Sequence, residues 1–391
     1  MPETISNIAR SHLMWALTDG IGPIVFARLL VRFGDAETAL GVSAGQLQTV
    51  KGIGRETVES IARSRDAAKV EAEVEAAAEH GLRIICQADP DYPEGLKRIA
   101  DPPIVLYVKG ELLPTDALAI AIVGTRRCTI YGSEQARRFG ELLAQAGFTI
   151  VSGLARGIDA FAHHGAVDAD GRSIAVFGRG LDEIYPPDNR ALAEKLLEHG
   201  AWLSELPVRT AVRRENFPTR NRIIAGLTLG TLVVEAPQRS GALITARLAN
   251  EYNREVFAVP GRVQDPTSFG SNALIRDGAA KLVTCLDDIL EELGEVGLAM
   301  QQKPGEADDS SDAGRESPSE RPGAASKPAL RLSPAESRVY EVIGYEPMLQ
   351  DAVLAATELP PGEVLAAFTS LELKGLIKRL PGQLVVRSGT A

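Results

Sequence analysis

From Ile84 to Thr284 the apolar positions fall in short uninterrupted runs, each followed by a longer stretch with helical spacing. The runs are Ile84–Gln87, Ile104–Val108, Ala119–Val123, Phe148–Val151, Ser173–Phe177, Thr231–Glu235 and Val256–Val259. Strands apolar at every position are buried on both faces, so this alternation predicts a mainly parallel sheet covered by helices on either side. Ligands of such sheets bind at the carboxyl ends of the strands. The unusual residues fall at those ends: Gly124-Thr-Arg-Arg127, Ser152 to Asp159, Gly178-Arg-Gly180 and Glu235 to Gly241.

The pattern changes on either side of this block. Near the start, Thr18-Asp-Gly-Ile-Gly22 precedes the amphipathic stretch Phe26–Phe33, and Val50-Lys-Gly-Ile-Gly54 precedes Val58–Ala62. Two such turns about thirty residues apart are the pattern of paired helix-hairpin-helix units, whose glycines expose backbone N–H groups to a phosphate. A helical cap with purely structural turns is the alternative; Lys51 and Arg55 support the phosphate role and Asp19 does not. Residues 301–331 hold one large aliphatic side chain, Leu330, among many Pro, Gly, Ser and charged residues, and are expected to be a disordered linker.

Beyond the linker, Ser333-Pro-Ala-Glu336 reads as a capping-box helix start, Leu349 to Leu359 as a second helix, and Glu363 to Leu376 as a third after a Pro360-Pro-Gly362 turn. Lys378 to Arg387 adds two short strands around Pro381-Gly382, so the tail reads as a winged helix. Residues 351–373 contain no Lys or Arg, and the tail as a whole has five basic against seven acidic residues. Duplex binding through its third helix should therefore be weak, which favours a protein-contact or regulatory role.

Composition narrows the picture further. At 391 residues and 45% hydrophobic content the chain supports one large core and one or two small ones. We expect four segments: a helical domain at 1–75, the α/β domain at 76–295, the linker at 296–331 and the winged helix at 332–391. No signal-like or bilayer-length apolar run stands out, so the protein is expected to be soluble and cytoplasmic. Cys86, Cys128 and Cys285 are few, odd in number and far apart, as buried thiols would be. A formal charge of −10 argues against indiscriminate binding to polyanions, so any nucleic-acid contact must come from a local basic surface.

The best single candidate is Ser152-Gly-Leu-Ala-Arg-Gly-Ile-Asp159, where a strand turns into a helix. Such a turn presents unpaired N–H groups and the positive end of a helix dipole. Ser152 is expected to cap, Gly153 and Gly157 to admit a ligand, and Arg156 to add a phosphate contact. Dinucleotide binding fails because Gly178-Arg-Gly180 is followed by Glu183 where the third glycine belongs, and no P-loop is present. Glu205, Glu235 and Asp159 are read as caps or ion-pair partners, and His163-His164 lack the spacing of a zinc helix. Neither a metal nor a cofactor is expected. Residues 205–222 instead carry five Arg against two Glu, and Arg126, Arg127, Arg156, Arg179 and Arg190 follow other strands. With Phe217 and Tyr185 as stacking surfaces, these could line a groove for single-stranded nucleic acid.

Several stretches resemble the DprA/Smf family of bacterial DNA-processing proteins. They are Tyr92–Lys97, Pro102–Gly110, Ile122–Arg126, Ser152–Asp159, Gly180–Pro186, Asn216–Gly226, Val233–Ala236, Ser240–Thr245 and Gly270–Ala279, in order over roughly residues 90–280. The resemblance implies an extended Rossmann fold with a sterile-alpha-motif-like or helix-hairpin-helix domain in front and a winged helix behind. It also implies a homodimer that binds single-stranded DNA and delivers it to the RecA recombinase in natural transformation, displacing or coexisting with single-strand-binding protein, without catalysing a reaction. Carried over by position, the expected DNA contacts are Gly124, Thr125 and Arg126; Ser152, Gly153, Arg156 and Gly157; Arg220, Asn221 and Arg222; and Gly241. Pro187 stands where many relatives have Lys after the Tyr-Pro pair, so Arg179 or Arg190 is expected to replace that contact. The rival reading is a nucleotide-hydrolysing enzyme of the lysine-decarboxylase-like or phosphoribohydrolase group, with Glu235 the residue to watch, although its Pro-Gly-Gly-x-Gly-Thr signature is absent. A winged-helix transcription regulator is a third, opposed by a third helix that has no Lys or Arg up to residue 373.

Overall fold

In a computed structural model, the residues described are 5–64, 67–294, 296, 333–344, 348–357, 359–360, 363–364, 367–368, 370–371, 376–380 and 384–387. They divide into two compact units, Met1–Asp308 and Asp309–Ala391. The expected linker falls outside the described residues except for Val296, as do the turn residues Pro361, Gly362, Pro381 and Gly382.

The first unit opens with six helices, α1 (Asn7–Ala16), α2 (Pro23–Phe33), α3 (Ala36–Gly41), α4 (Ala44–Leu47), α5 (Arg55–Ser64) and α6 (Ala67–Glu79). Trp15, Phe26 and Leu29 are buried among them, in a core that continues onto Ile84, Tyr107 and Trp202 of the sheet. The two glycine turns are seated on each other's hairpins. Gly20 (φ +84°) faces Thr57 of α5, and Gly52 (φ +101°) faces Val25 and Arg28 of α2. This packing accounts for both glycines without a ligand.

Then follow β1 (Arg83–Cys86), α7 (Glu94–Lys97), β2 (Val105–Gly110), β3 (Ala119–Val123), α8 (Ile130–Gln145), β4 (Thr149–Ser152), α9 (Ile158–Asp168) and β5 (Ser173–Val176). The series continues with α10 (Arg190–Leu196), β6 (Ala201–Ser204), α11 (Asn216–Leu227), β7 (Gly230–Val233), α12 (Gly241–Glu251), β8 (Glu255–Ala258), α13 (Phe269–Arg276), β9 (Lys281–Leu282) and α14 (Leu286–Glu292). All seven expected strands are present. Two more were not among them: β6, four residues long like several that were, and β9, two exposed residues at the sheet edge.

The nine strands take the order β1-β2-β6-β5-β4-β3-β7-β8-β9. From β6 to β9 every pairing is parallel, while β2 is antiparallel to both β1 and β6. Along β3, Ala119, Ala121 and Val123 enter one core and Ile120 and Ile122 another, as expected of a strand covered on both sides. From β3 the chain builds outward through β4, β5 and β6, then returns to place β7 on the other flank. Ile122 and Val123 pair with Leu232 and Val233, so the carboxyl ends of β3 and β7 end level at this switch in direction.

In the second unit, α15 (Pro334–Val342) begins with the expected capping box between Ser333 and Glu336. It is followed by β10 (Met348–Leu349), α16 (Gln350–Thr357), β11 (Ile377–Leu380) and β12 (Leu384–Arg387). Leu349, expected to start the second helix, instead pairs with Leu384 and adds a third strand to the wing. Residues 363–364, 367–368 and 370–371 are helical, and Val339, Val353, Phe368 and Val385 share the core.

Candidate functional site

The switch between β3 and β7 opens into a cleft of about 870 Å³. Its floor is the Gly124-Thr-Arg126 loop, clamped from both sides. The Thr125 N–H donates to the Glu235 carbonyl at 2.7 Å, and the Thr125 carbonyl accepts from Ile158 N–H at 3.2 Å. A Cβ on Gly124 would lie 2.8 Å from the Glu235 carbonyl oxygen, and one on Gly157 (φ +79°) would run into the Thr125 carbonyl. Only glycine lets these loops approach so closely. The opposite wall is α11, tied to the start of α12 by a 3.2 Å bond from Asn221 Nδ2 to the Gly241 carbonyl.

Five arginines line this cleft: Arg126, Arg127, Arg214, Arg220 and Arg239. The lining includes one carboxylate, Asp159, which is buried. Among the described residues no salt bridge engages Arg126, Arg127, Arg214 or Arg239, and all four are exposed. The Arg126 guanidinium stands over the Phe217 ring at 5.1 Å, and Phe217 meets Tyr185 at 6.1 Å. A cation and two aromatic faces are thereby presented together.

Of the helix N-termini at this end of the sheet, those of α8 and α9 are neutralised from within. At α8, the Glu235 carboxylate accepts from the Thr129 N–H at 2.9 Å and the Thr129 hydroxyl at 2.5 Å, lying against Gly132. At α9, Asp159 accepts from the Gly153 N–H at 3.2 Å beside the Arg220 guanidinium. Burial pushes the Asp159 carboxyl up, with Arg220 opposing the shift. Burial likewise brings Arg220 down to about 10, and Arg126 adds to that. The N-terminus of α12, at Ser240, Gly241 and Ala242, opens on the cleft. It adds a partial positive charge to the arginines.

The structure thus brings Gly124, Thr125, Arg126, Arg220, Asn221 and Gly241 of the expected contacts to one cleft. It does not bring the rest. Ser152 does not cap α9: its hydroxyl is buried and donates to the Ile122 carbonyl at 2.6 Å, tying β4 to β3. Gly153 lies beneath Arg220 with its N–H committed to Asp159, so the turn that looked like an open anion grip already holds a carboxylate. Gly157 serves the close approach to Thr125. Arg156 is exposed and paired with Asp188 at 2.6 Å. Arg179 is buried in ion pairs with Asp182 (2.8 Å) and Glu183 (3.0 Å). Arg190 is exposed at the start of α10, outside the cleft lining. Arg222 turns away entirely: it is buried, bonded to Glu205 and the Asp101 carbonyl. Burial pushes the Glu205 carboxyl up, against the pull of Arg222.

Of the other lining cations, Arg127 and Arg214 belong to the arginines read from the sequence as lining a groove, whereas Arg239 was not singled out. Arg239 had a readable signal, since it follows a strand in the loop Pro237-Gln-Arg-Ser240. What the sequence withheld was that β7 lies beside β3.

Residues 83–294 match the family model described as DNA recombination-mediator protein A, and residues 323–383 match the DprA winged helix domain. The chain belongs to the DprA/Smf family. Protein Smf of Synechocystis sp. is 38% identical over 384 residues, spanning 95% of this chain and 96% of that one. DNA processing protein DprA of Bacillus subtilis is 39% identical over 280 residues, 70% of this chain and 93% of its own. The X-ray structure of DprA from Streptococcus pneumoniae superposes with a TM-score of 0.64 at 33% identity, covering 72% of this chain and 97% of that one. The family role is that of a DNA recombination mediator. No helix among the described residues is long and apolar enough to cross a membrane.

Proposed function

We propose that the switch-point cleft binds the backbone of single-stranded DNA, and that the protein delivers this strand to the RecA recombinase during natural transformation. The observation that carries the DNA reading is the convergence of Arg126, Arg127, Arg214, Arg220 and Arg239 on one cleft, with Asp159 as the single lining carboxylate. Guanidinium groups match phosphate geometry, and an open helix N-terminus adds to the same field. Tyr185 and Phe217 favour a single strand, because a duplex keeps its bases stacked on one another and leaves such rings unused. The role is binding rather than turnover: Asp159 is held by Gly153 and Arg220, and Glu235 is engaged with Thr129, so neither supports the nucleotide-hydrolase alternative. In the same reading the protein acts as a cytoplasmic homodimer and displaces or coexists with single-strand-binding protein. Exposed Val263, Phe269 and Leu282 near the edge strand β9 support self-association.

Fluorescence anisotropy with labelled single-stranded and duplex oligonucleotides over a salt series tests the DNA reading. A strong single-strand preference with steep salt dependence is expected. Release of free base from a nucleoside monophosphate, with no affinity for single strands, would transfer the site to the hydrolase reading. RecA delivery is read by RecA ATPase activity on DNA coated with single-strand-binding protein; addition of this protein should shorten the lag.

A further inference from the structure

The opposite end of the sheet holds a second, smaller cavity, of about 460 Å³, near the amino ends of β3 and β7. It shares no lining residue with the switch-point cleft. Pro90, Tyr92, Pro93, Leu112, Leu113 and Leu229 give it apolar walls, and its size lies within the roughly 300–1,000 Å³ usual for small-molecule sites. Three carboxylates reach it, each already held by a cation outside the lining. Asp91 is paired with Arg83 at 2.7 Å, Glu94 with Lys97 at 2.6 Å, and Asp116 with Arg172 at 2.8 Å.

Two guanidinium groups of the lining, on Arg98 and Arg254, are not balanced in this way, and among the described residues neither forms a salt bridge. Arg254 gives one N–H to the Gly95 carbonyl at 3.3 Å, while its Nε–H is buried without a partner. Burial lowers the Arg254 pKa, and the nearby Arg98 charge lowers it further. A Cβ on Gly95 would lie 2.7 Å from the Gly226 carbonyl and 3.6 Å from Arg254 Nη2, so α7 closely approaches both α11 and the Arg254 guanidinium. Two like charges held together at a cavity cost free energy that a dianion between them would offset.

We propose that this cavity is a second ligand site, for a free nucleoside monophosphate whose phosphate bridges Arg98 and Arg254 and whose base lies against Pro93, Leu112 and Leu113. A phosphomonoester carries close to the two negative charges the pair calls for, and guanidinium forks fit its oxygens. The proline ring and leucine side chains offer apolar surface to a base.

Isothermal titration of the full-length protein with deoxyadenosine monophosphate tests the assignment. Saturable binding of one nucleotide per chain is expected, weakened about tenfold or more in Arg98→Glu and in Arg254→Gln and unchanged in Arg126→Ala. Arg98 is exposed, so its variant is expected to keep the fold, checked by thermal melting. Deoxyadenosine and inorganic phosphate should each bind about tenfold or more weakly than the mononucleotide. The proposal is overturned by absence of saturable binding, by loss of binding in Arg126→Ala with retention in Arg98→Glu, or by equal binding of either comparison ligand. None of these readouts depends on whether the switch-point cleft binds DNA.

Discussion

Arg220 and Arg222 stand two residues apart on α11 and meet opposite electrostatic surroundings. Around Arg220 five guanidiniums share one cleft with a single carboxylate. Around Arg222 one guanidinium meets two carboxylates, Glu205 and Asp101, and Asp101 also accepts from the Tyr252 hydroxyl at 2.9 Å. Helix geometry accounts for the split: two residues turn an α-helix by about 200°, so an Arg-x-Arg pair must point to opposite faces. A cation matched inside the protein holds the fold together, whereas a surplus of unmatched cations awaits an anion from outside.

The sharpest way to break this comparison is Arg222→Ala. It leaves Glu205 and Asp101 without their cation and should cost about 3–5 kcal/mol in urea unfolding, with no change in DNA affinity of the folded protein. Lost DNA affinity at full stability would return Arg222 to the binding surface. Next comes His163, fully buried with Nδ1 2.8 Å from the Ser173 hydroxyl and its pKa pushed down to about 3 by burial. The unfolded chain takes up this proton first on acidification, so the stability is present above about pH 6.5 and is lost as pH falls towards about 3. His163→Gln should remove about 1.4 kcal/mol per pH unit from that slope, read from unfolding midpoints between about pH 4 and 6. Comparison with wild type cancels Asp159 and Glu205, whose raised pKa values act in the opposite sense.

Within the cleft, Arg126→Ala and Arg239→Ala should each weaken single-strand binding about tenfold whatever the base sequence, and flatten the log–log salt slope by about 0.7. A base-dependent loss would mean that they read bases. The smallest effect belongs to Arg156→Ala, which breaks an exposed pair with Asp188 and should change unfolding stability by no more than about 0.5 kcal/mol.

Much of the fold was legible because strand cores and glycine turns are local signals. Ala119–Val123 reads as a strand because all five residues are apolar, and it is buried throughout. Lys281–Leu282 reads as nothing in particular, since only its place beside β8 makes it a strand. The site was legible in part. Gly124 to Arg126 and Gly241 stand at strand ends in sequence and in the cleft. Ser152, Arg179 and Arg222 have residue types that suit a phosphate, but their partners Ile122, Asp182 and Glu205 satisfy them inside.

The sequence by itself determined most of the strands and helices and the family, and it placed arginines at the strand ends. These follow from residue type and short-range order. Tertiary structure alone decided which of those ends meet: β3 and β7, more than a hundred residues apart, lie side by side and carry Arg126 and Arg239 to one cleft. It also decided which charges remain free. A guanidinium is available to DNA only if no carboxylate folds against it, and that depends on contacts between segments distant in the chain.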